Sequence, residues 1–435
     1  MGNYSAEWEE VCKRYDVLEK IEEKGYCDLR AEDIKQVKEP RLLAKHDNRS
    51  QRPDIFARND LSILPLSRSL YRIGHMDLFQ QFRPMHVDWS TANEGVIPIR
   101  KPDIESIDFN NIYSESNALN SLYVSHILEQ FLGEEKLMPT VNGRMGTGNF
   151  DFRVQNVLHA DQPYSIPVNN AQMEIDGGYE GLESLCLVEA KMNFADDFMV
   201  RQLYYPYRVW RERTNKTIRP VFMVFSNGIY HLMEYQFEDP TFYNSIRLVN
   251  YLKYTIVDDA LITINDLIIA SRQAHSIPEP PVPFPQANAF ERVISLCEAL
   301  AGRDEPITVD EIASMNGFTD RQSDYYGDAA AYLGLVRRCG PKQYILTDEG
   351  QRLFSRSTSI RMRNISLVRL MLCHDVYMDC FRFRLEHGGI TSSDCEAIMR
   401  RHPECALTES LYARRATTVS YWIKWCFNLV CDVTF

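Results

Sequence analysis

Three charged residues in "QMEIDGGYEGLESLCLVEAKMN", Gln172 to Asn193, have the types and spacing for phosphate chemistry. Asp176 ends one apolar run, and Glu189 and Lys191 end another. In a strand, residues two apart share a face, so Glu189 and Lys191 project together while Ala190 points away. Asp176, at the end of a neighbouring strand, can lie beside them. Two carboxylates, a backbone carbonyl and waters would suit a hard cation such as Mg²⁺. Such an ion stabilises charge on a phosphate oxygen and acidifies a water. A lysine beside it would orient the water or meet the charge developing at phosphorus. Glu115, near the start of an upstream helical pattern, is a further candidate ligand approaching from the side.

The elements that must position these groups can be read from periodicity. "YSESNALNSLYVSHILEQFLG" has an apolar face at helical spacing, with Ser114 as its cap. "NGRMGTG" reads as a turn entering "NFDFRVQNV", which alternates as a strand. "AQMEID" and "SLCLVEAK" are the next strands, and "DDFMVRQLYYPYRVWRER" is a helix with Pro206 inside it. "RPVFMVFS" is a buried-type strand, and Asn227-Gly228 is a hairpin signal before "IYHLMEYQF". Helix, three strands, helix and two strands imply an α/β (α+β) central domain over residues 96–275. Residues 1–95 open with an amphipathic helical pattern, continue into β structure over "LSILPLSRSLYRIG", broken by Pro65, and read as a mostly helical flanking recognition or clamp module.

"SIPEPPVPFPQ" places five prolines between Pro278 and Pro285, a semi-rigid linker over 276–287. Residues 288–356 then have the pattern of a winged helix. Thr308 to Glu311 and Thr319 to Gln322 are capping boxes opening two helices, and "CGPKQYILTDEG" supplies the wing. On the second helix Arg321, Gln322, Ser323 and Tyr325 are candidates to meet DNA, because Arg and Gln pair bidentately with guanine and adenine edges. Lys342, Gln343, Arg414 and Arg415 are candidate phosphate contacts. Residues 357–435 read as a second helical module, with another winged helix as an alternative.

Composition narrows the classes. The 435 residues carry a net charge of −12, yet Lys35 to Arg72 holds nine Lys/Arg against four Asp/Glu. Basic arms around an acidic centre suit an enzyme that grips a polyanion and holds cations at one point. No apolar run approaches the ~20 residues that span a bilayer, and no signal-peptide pattern opens the chain, so a cytoplasmic protein is expected. The 11 cysteines include no CxxC pair, which points to reduced thiols and away from a zinc finger. No GxxxxGK[ST] loop is present, so no nucleotide cofactor is expected.

Asp176 with Glu189-Ala190-Lys191 resembles the PD-(D/E)xK nuclease signature, and the element order matches that superfamily's core. The resemblance implies Asp176 and Glu189 as Mg²⁺ ligands, Lys191 as a catalytic group and Glu115 as the family's helix acid. Gln202 maps to a helix glutamine that several branches carry. Ile175 stands where the family's proline would, and Gln202 to Tyr205 is one residue shorter than the usual glutamine motif. With "EPRLLAKHD", "LSILPLSR" and "GRMGTGNFDF", the chain is similar to bacterial type II restriction endonucleases with flanking DNA-recognition modules. The implied activity is Mg²⁺-dependent cleavage of double-stranded DNA at or near a short sequence, by a homodimer or by successive nicks. A methylation-dependent endonuclease and a DNA-binding regulator with an inert nuclease-like domain are the alternatives.

Overall fold

A computed structural model describes residues 4–82, 95–257, 262–301, 303, 305–316, 320–355, 358–405 and 407–430, without the side chains of 313–316 and 320–323. The fold is mixed α+β. At its centre is a seven-stranded sheet of β1 (Ile97–Arg100), β2 (Met138–Gly146), β3 (Gln172–Glu180), β4 (Ser184–Lys191), β5 (Thr217–Ser226), β6 (Ile229–Phe237) and β7 (Ile246–Val257). Their order across the sheet is β1-β7-β6-β5-β4-β3-β2.

β4 runs antiparallel to β3 and parallel to β5. A parallel pair needs a crossover, and a helix, Arg201–Arg213, lies in the connection between β4 and β5. Seven of the eight residues of β4 are buried, as expected for a strand covered on both faces. β3 instead alternates: Met173 and Ile175 are buried, while Gln172 and Glu174 are exposed on the face that also carries Asp176.

Two expectations change here. β3 does not end at Asp176 but continues through Gly177-Gly178 to Glu180. The glycine pair marks close packing and not a turn: a Cβ on Gly178 would stand 2.7 Å from Val141 Cβ and 2.8 Å from its carbonyl oxygen. "NGRMGTG", expected as a turn, lies mostly within β2, where register shifts around Val141 and Gly143 absorb the glycines. Gly143 has φ of 86°, a conformation that glycine adopts without strain.

The chain divides into two compact units, Met1–His86 with Ala118–Val224 and His231–Leu252, and Val87–Asn117 with Phe225–Tyr230 and Lys253–Phe435. In the first unit, the leading amphipathic pattern forms two helices, Ser5–Arg14 and Val17–Lys24, because Asp16 takes a left-handed conformation between them. The β structure expected over "LSILPLSRSLYRIG" forms two strands, Ser62–Pro65 and Leu70–Gly74, and Tyr26–Arg30 joins them in a three-stranded antiparallel sheet. The upstream helix ascribed to "YSESNALNSLYVSHILEQFLG" is likewise split, into Glu115–Val124 and Ile127–Leu132, by left-handed His126. Ser114 Oγ accepts the Asn117 N–H at 3.2 Å, so the expected cap is present.

In the second unit, helices Val309–Asn316 and Asp320–Tyr332 precede a hairpin of Val336–Gly340 and Gln343–Leu346. Glu311 closes the first capping box on Thr308, whereas Thr319 of the second lies outside the described residues. Four long or medium helices follow: Ile360–Leu372, Asp375–His387, Ser392–Met399 and Glu409–Asn428. The proline-rich stretch lies against their core, where Phe284 is buried beside Tyr332 and Tyr377 and the Ala287 carbonyl accepts Trp422 Nε1–H at 2.7 Å. Among the described residues no helix is long and apolar enough to cross a membrane.

Candidate functional site

The backbone ladder between β3 and β4 runs as far as Gly177–Val188. One step further along each strand stand Asp176 and Glu189, where a side chain takes over the pairing. Asp176 Oδ2 accepts the Ala190 N–H at 2.9 Å. This bond fixes the Asp176 carboxylate at the end of β4, beside the residues that project from it.

Glu189 is buried, and its Oε1 accepts hydrogen bonds from Lys191 Nζ at 2.5 Å and Gln202 Nε2 at 2.6 Å. Burial pushes the Glu189 carboxyl up to about 7; the neighbouring Lys191 pulls it down and the charges of Asp176 and Asp47 add to the rise. A carboxyl so placed gains from any further positive charge that reaches it.

Gln202 comes from the second position of helix Arg201–Arg213. Its Nε2 also reaches Asp47 Oδ1 at 3.5 Å, the outer limit of a hydrogen bond. An amide nitrogen between two carboxylates sets the orientation of the side chain, and Oε1 is then left buried without a partner. Pro206, four residues on, has no N–H to donate to the Gln202 carbonyl, so the first turn is locally freed from the helix ladder.

Asp47 was not recognised from sequence. It stands in the basic stretch of the first module, far along the chain from β3 and β4. Its loop is held firmly. Asp47 N–H donates to Gln51 Oε1 at 2.8 Å, and its carbonyl accepts the Met199 N–H at 2.8 Å. Buried Asn48 caps the short Arg49–Gln51 turn through its side-chain oxygen. Arg49 spans Asp77 at 2.8 Å and Asp197 at 3.2 Å. The only local signal was "DNRSQ", an Asn cap that marks an ordered turn without saying what it faces.

The structure therefore brings Asp176, Glu189, Lys191 and Gln202 together and adds Asp47. Glu115 is the first residue of its helix and belongs to the second unit, whereas the other five belong to the first. Among the described residues, no group of three or more His, Cys, Asp or Glu side chains is arranged to hold a metal ion by itself. The corner offers the carboxylates of Asp176 and Glu189 together with the unmet amide oxygen of Gln202. That donor set fits Mg²⁺, which is bound through one or two carboxylates and completes its shell with waters and substrate phosphate.

The residues expected to meet DNA are placed as follows. Arg321, Gln322 and Ser323 are on the first turn of helix Asp320–Tyr332, with side chains outside the described residues. Tyr325 is half-buried on the same helix. Lys342 is exposed in the hairpin turn at φ of 55°, and Gln343 opens the returning strand. Arg414 is exposed, whereas Arg415 is buried and donates to Gln286 Oε1 at 2.6 Å.

Three family models match the chain, each described as a domain of unknown function: DUF6996 over residues 5–73, DUF6997 over 74–255 and DUF7226 over 292–431. Asp47 falls in the first of these stretches, and Asp176, Glu189, Lys191 and Gln202 fall in the second. No curated protein and no solved structure matches the chain.

Proposed function

We propose that the chain is a Mg²⁺-dependent endonuclease of the PD-(D/E)xK type that cleaves double-stranded DNA at or near a short sequence, as a type II restriction enzyme does. The observation that carries this reading is the corner itself. Asp176 and Glu189 sit on adjacent antiparallel strands, Lys191 shares a face with Glu189, and β4 passes through a helix to a parallel β5. The finer reading of the central domain as that nuclease core rests on the same arrangement. The reading of residues 288–356 as a winged helix rests on two helices followed by a hairpin.

Asp176 and Glu189 would hold the cation. When bound, Mg²⁺ would supply charge stabilisation at the phosphate and lower the pKa of water. Lys191 Nζ, held by Glu189, is placed to orient a water toward phosphorus and to meet negative charge on the phosphate oxygens as one P–O bond breaks. Gln202 keeps the Glu189 carboxylate in position, the kind of supporting bond that tunes a metal ligand. Lys342, Gln343 and Arg414, with Arg321, Gln322, Ser323 and Tyr325, are the candidate DNA contacts. Arg415 leaves that set because Gln286 engages its guanidinium.

The test is incubation of the full chain with long DNA, methylated and unmethylated, in Mg²⁺ and in EDTA. Discrete fragments that require Mg²⁺ and arise from unmethylated DNA are expected. Fragments from methylated DNA alone would replace this reading with a modification-dependent nuclease. Sequence-specific binding to DNA that stays intact would replace it with a regulator.

A further inference from the structure

The second unit holds a cavity of about 250 Å³ with mainly aliphatic walls, among them Ile229, Ile256, Ile262 and Ile360. Two buried amides also line it: Asn227, 2% exposed, and Asn364, 6% exposed. Asn227 stands in the left-handed conformation at the β5–β6 turn, and its Oδ1 accepts from Arg363 Nη2 at 2.9 Å. A guanidinium can only donate, so this contact fixes the amide and identifies Nδ2 as the atom left without a partner. Asn364 Oδ1 is likewise buried and unpartnered, as is Arg361 Nε on the same wall.

Buried polar atoms without partners cost stability, and cavities that keep them are filled by water or by a ligand. The charges at this site are already matched. Arg363 also donates to Glu298 at 2.9 Å, and Arg361 donates to Asp266 at 2.8 Å. Among the described lining residues the cavity thus offers unmet donors and an unmet acceptor with no uncompensated charge, which disfavours phosphate, carboxylate and cations. Its size is below that of a pocket for a drug-sized molecule. Branched aliphatic walls suit the faces of a flat ring, and an amide donor and acceptor suit the edge of a heterocycle.

We propose that this cavity binds one neutral nucleobase, either as a free nucleoside or as a base extruded from DNA. The proposal does not depend on the carboxylate corner, because every lining residue lies in the second unit.

The experiment uses the full chain and two variants. Asn227→Asp keeps an oxygen for Arg363 and removes the free donor. Asn364→Leu removes the free acceptor while keeping the number and branching of side-chain heavy atoms. Melting temperature is followed against each of the four common deoxynucleosides, and fluorescence is followed on a duplex carrying 2-aminopurine. A saturable rise in melting temperature with a deoxynucleoside, weakened about tenfold or more in both variants, supports the proposal and names the free ligand. A fluorescence rise on the duplex alone, lost in both variants, supports it and names an extruded base. Either variant decides the matter if the other fails to fold. Neither response in the wild type, or a response unchanged in the folded variants, overturns it.

Discussion

The corner where β3 meets β4 and the cavity of the second unit both leave buried polar atoms short of partners, but they differ in charge. At the corner, Lys191 and Gln202 both donate to Glu189, Gln202 also reaches Asp47, and burial, with the charges of Asp176 and Asp47 beside it, pushes the Glu189 carboxyl up to about 7. In the cavity, Arg361 and Arg363 are matched by Asp266 and Glu298, and the unmet atoms are Asn227 Nδ2, Asn364 Oδ1 and Nε of the already paired Arg361. The lesson is that a polar shortfall identifies a place for a ligand, and the charge balance around it selects the kind of ligand. On the proposed readings the corner would take a cation and the polyanion it acts on, and the cavity an uncharged ring.

The largest expected effect breaks the charged half of this comparison. Asp176→Asn or Glu189→Gln should lower Mg²⁺-dependent cleavage by ~10²–10³-fold or more, read from initial rates on plasmid DNA. Their circular-dichroism spectra should match that of the wild type.

Next comes the acid sensitivity of the loop that carries Asp47. His46 is buried against Phe56, and burial, helped by the charge of Arg52, lowers its pKa to about 4. An unfolded histidine binds its proton near pH ~6.5. The stability due to a neutral His46 is therefore complete above that pH and declines as pH falls toward 4. Denaturant titrations between these limits should show a loss of up to about 3 kcal/mol from this residue. A flat profile in that window would show that His46 does not remain neutral in the fold.

Gln202→Ala should be milder, a loss of about 10–100-fold in rate or in apparent Mg²⁺ affinity, because the carboxylates remain. Magnesium titrations of the rate separate the two. An unchanged titration and rate would remove Gln202 from the site.

The smallest effect has the opposite sign and belongs to the neutral region. Asn364→Leu removes an unmet acceptor, so the melting temperature without ligand should hold or rise by the equivalent of at most ~1 kcal/mol. A substantial fall would show that the amide supports the fold and not a ligand.

The two regions were not equally legible in the sequence. Strand alternation and the two-residue spacing of Glu189 and Lys191 were enough to place both side chains on one face of β4, and the structure pairs them. The end of β3 was misread, because Gly177-Gly178 looks like a turn when only the local chain is considered. Its cause is the approach of Val141 from β2, a contact set by register. Asp47 was invisible for a related reason: its place is fixed by bonds to Gln51 and Met199, and neither constrains the identity of residue 47. Asn227 was read as a hairpin residue, which it is, with φ of 51°. Its second role follows from Arg363 and the cavity wall, partners that no local pattern reveals.

The central claim is that the β3–β4 corner performs phosphodiester hydrolysis, and Lys191 tests it most directly. Wild-type and Lys191→Ala proteins would be compared on the same end-labelled DNA, with cleavage measured in Mg²⁺ and binding measured by gel shift in EDTA. The account predicts equal binding, with discrete fragments from the wild type and intact DNA from the variant. A Lys191→Ala protein that cuts at the wild-type rate would contradict it.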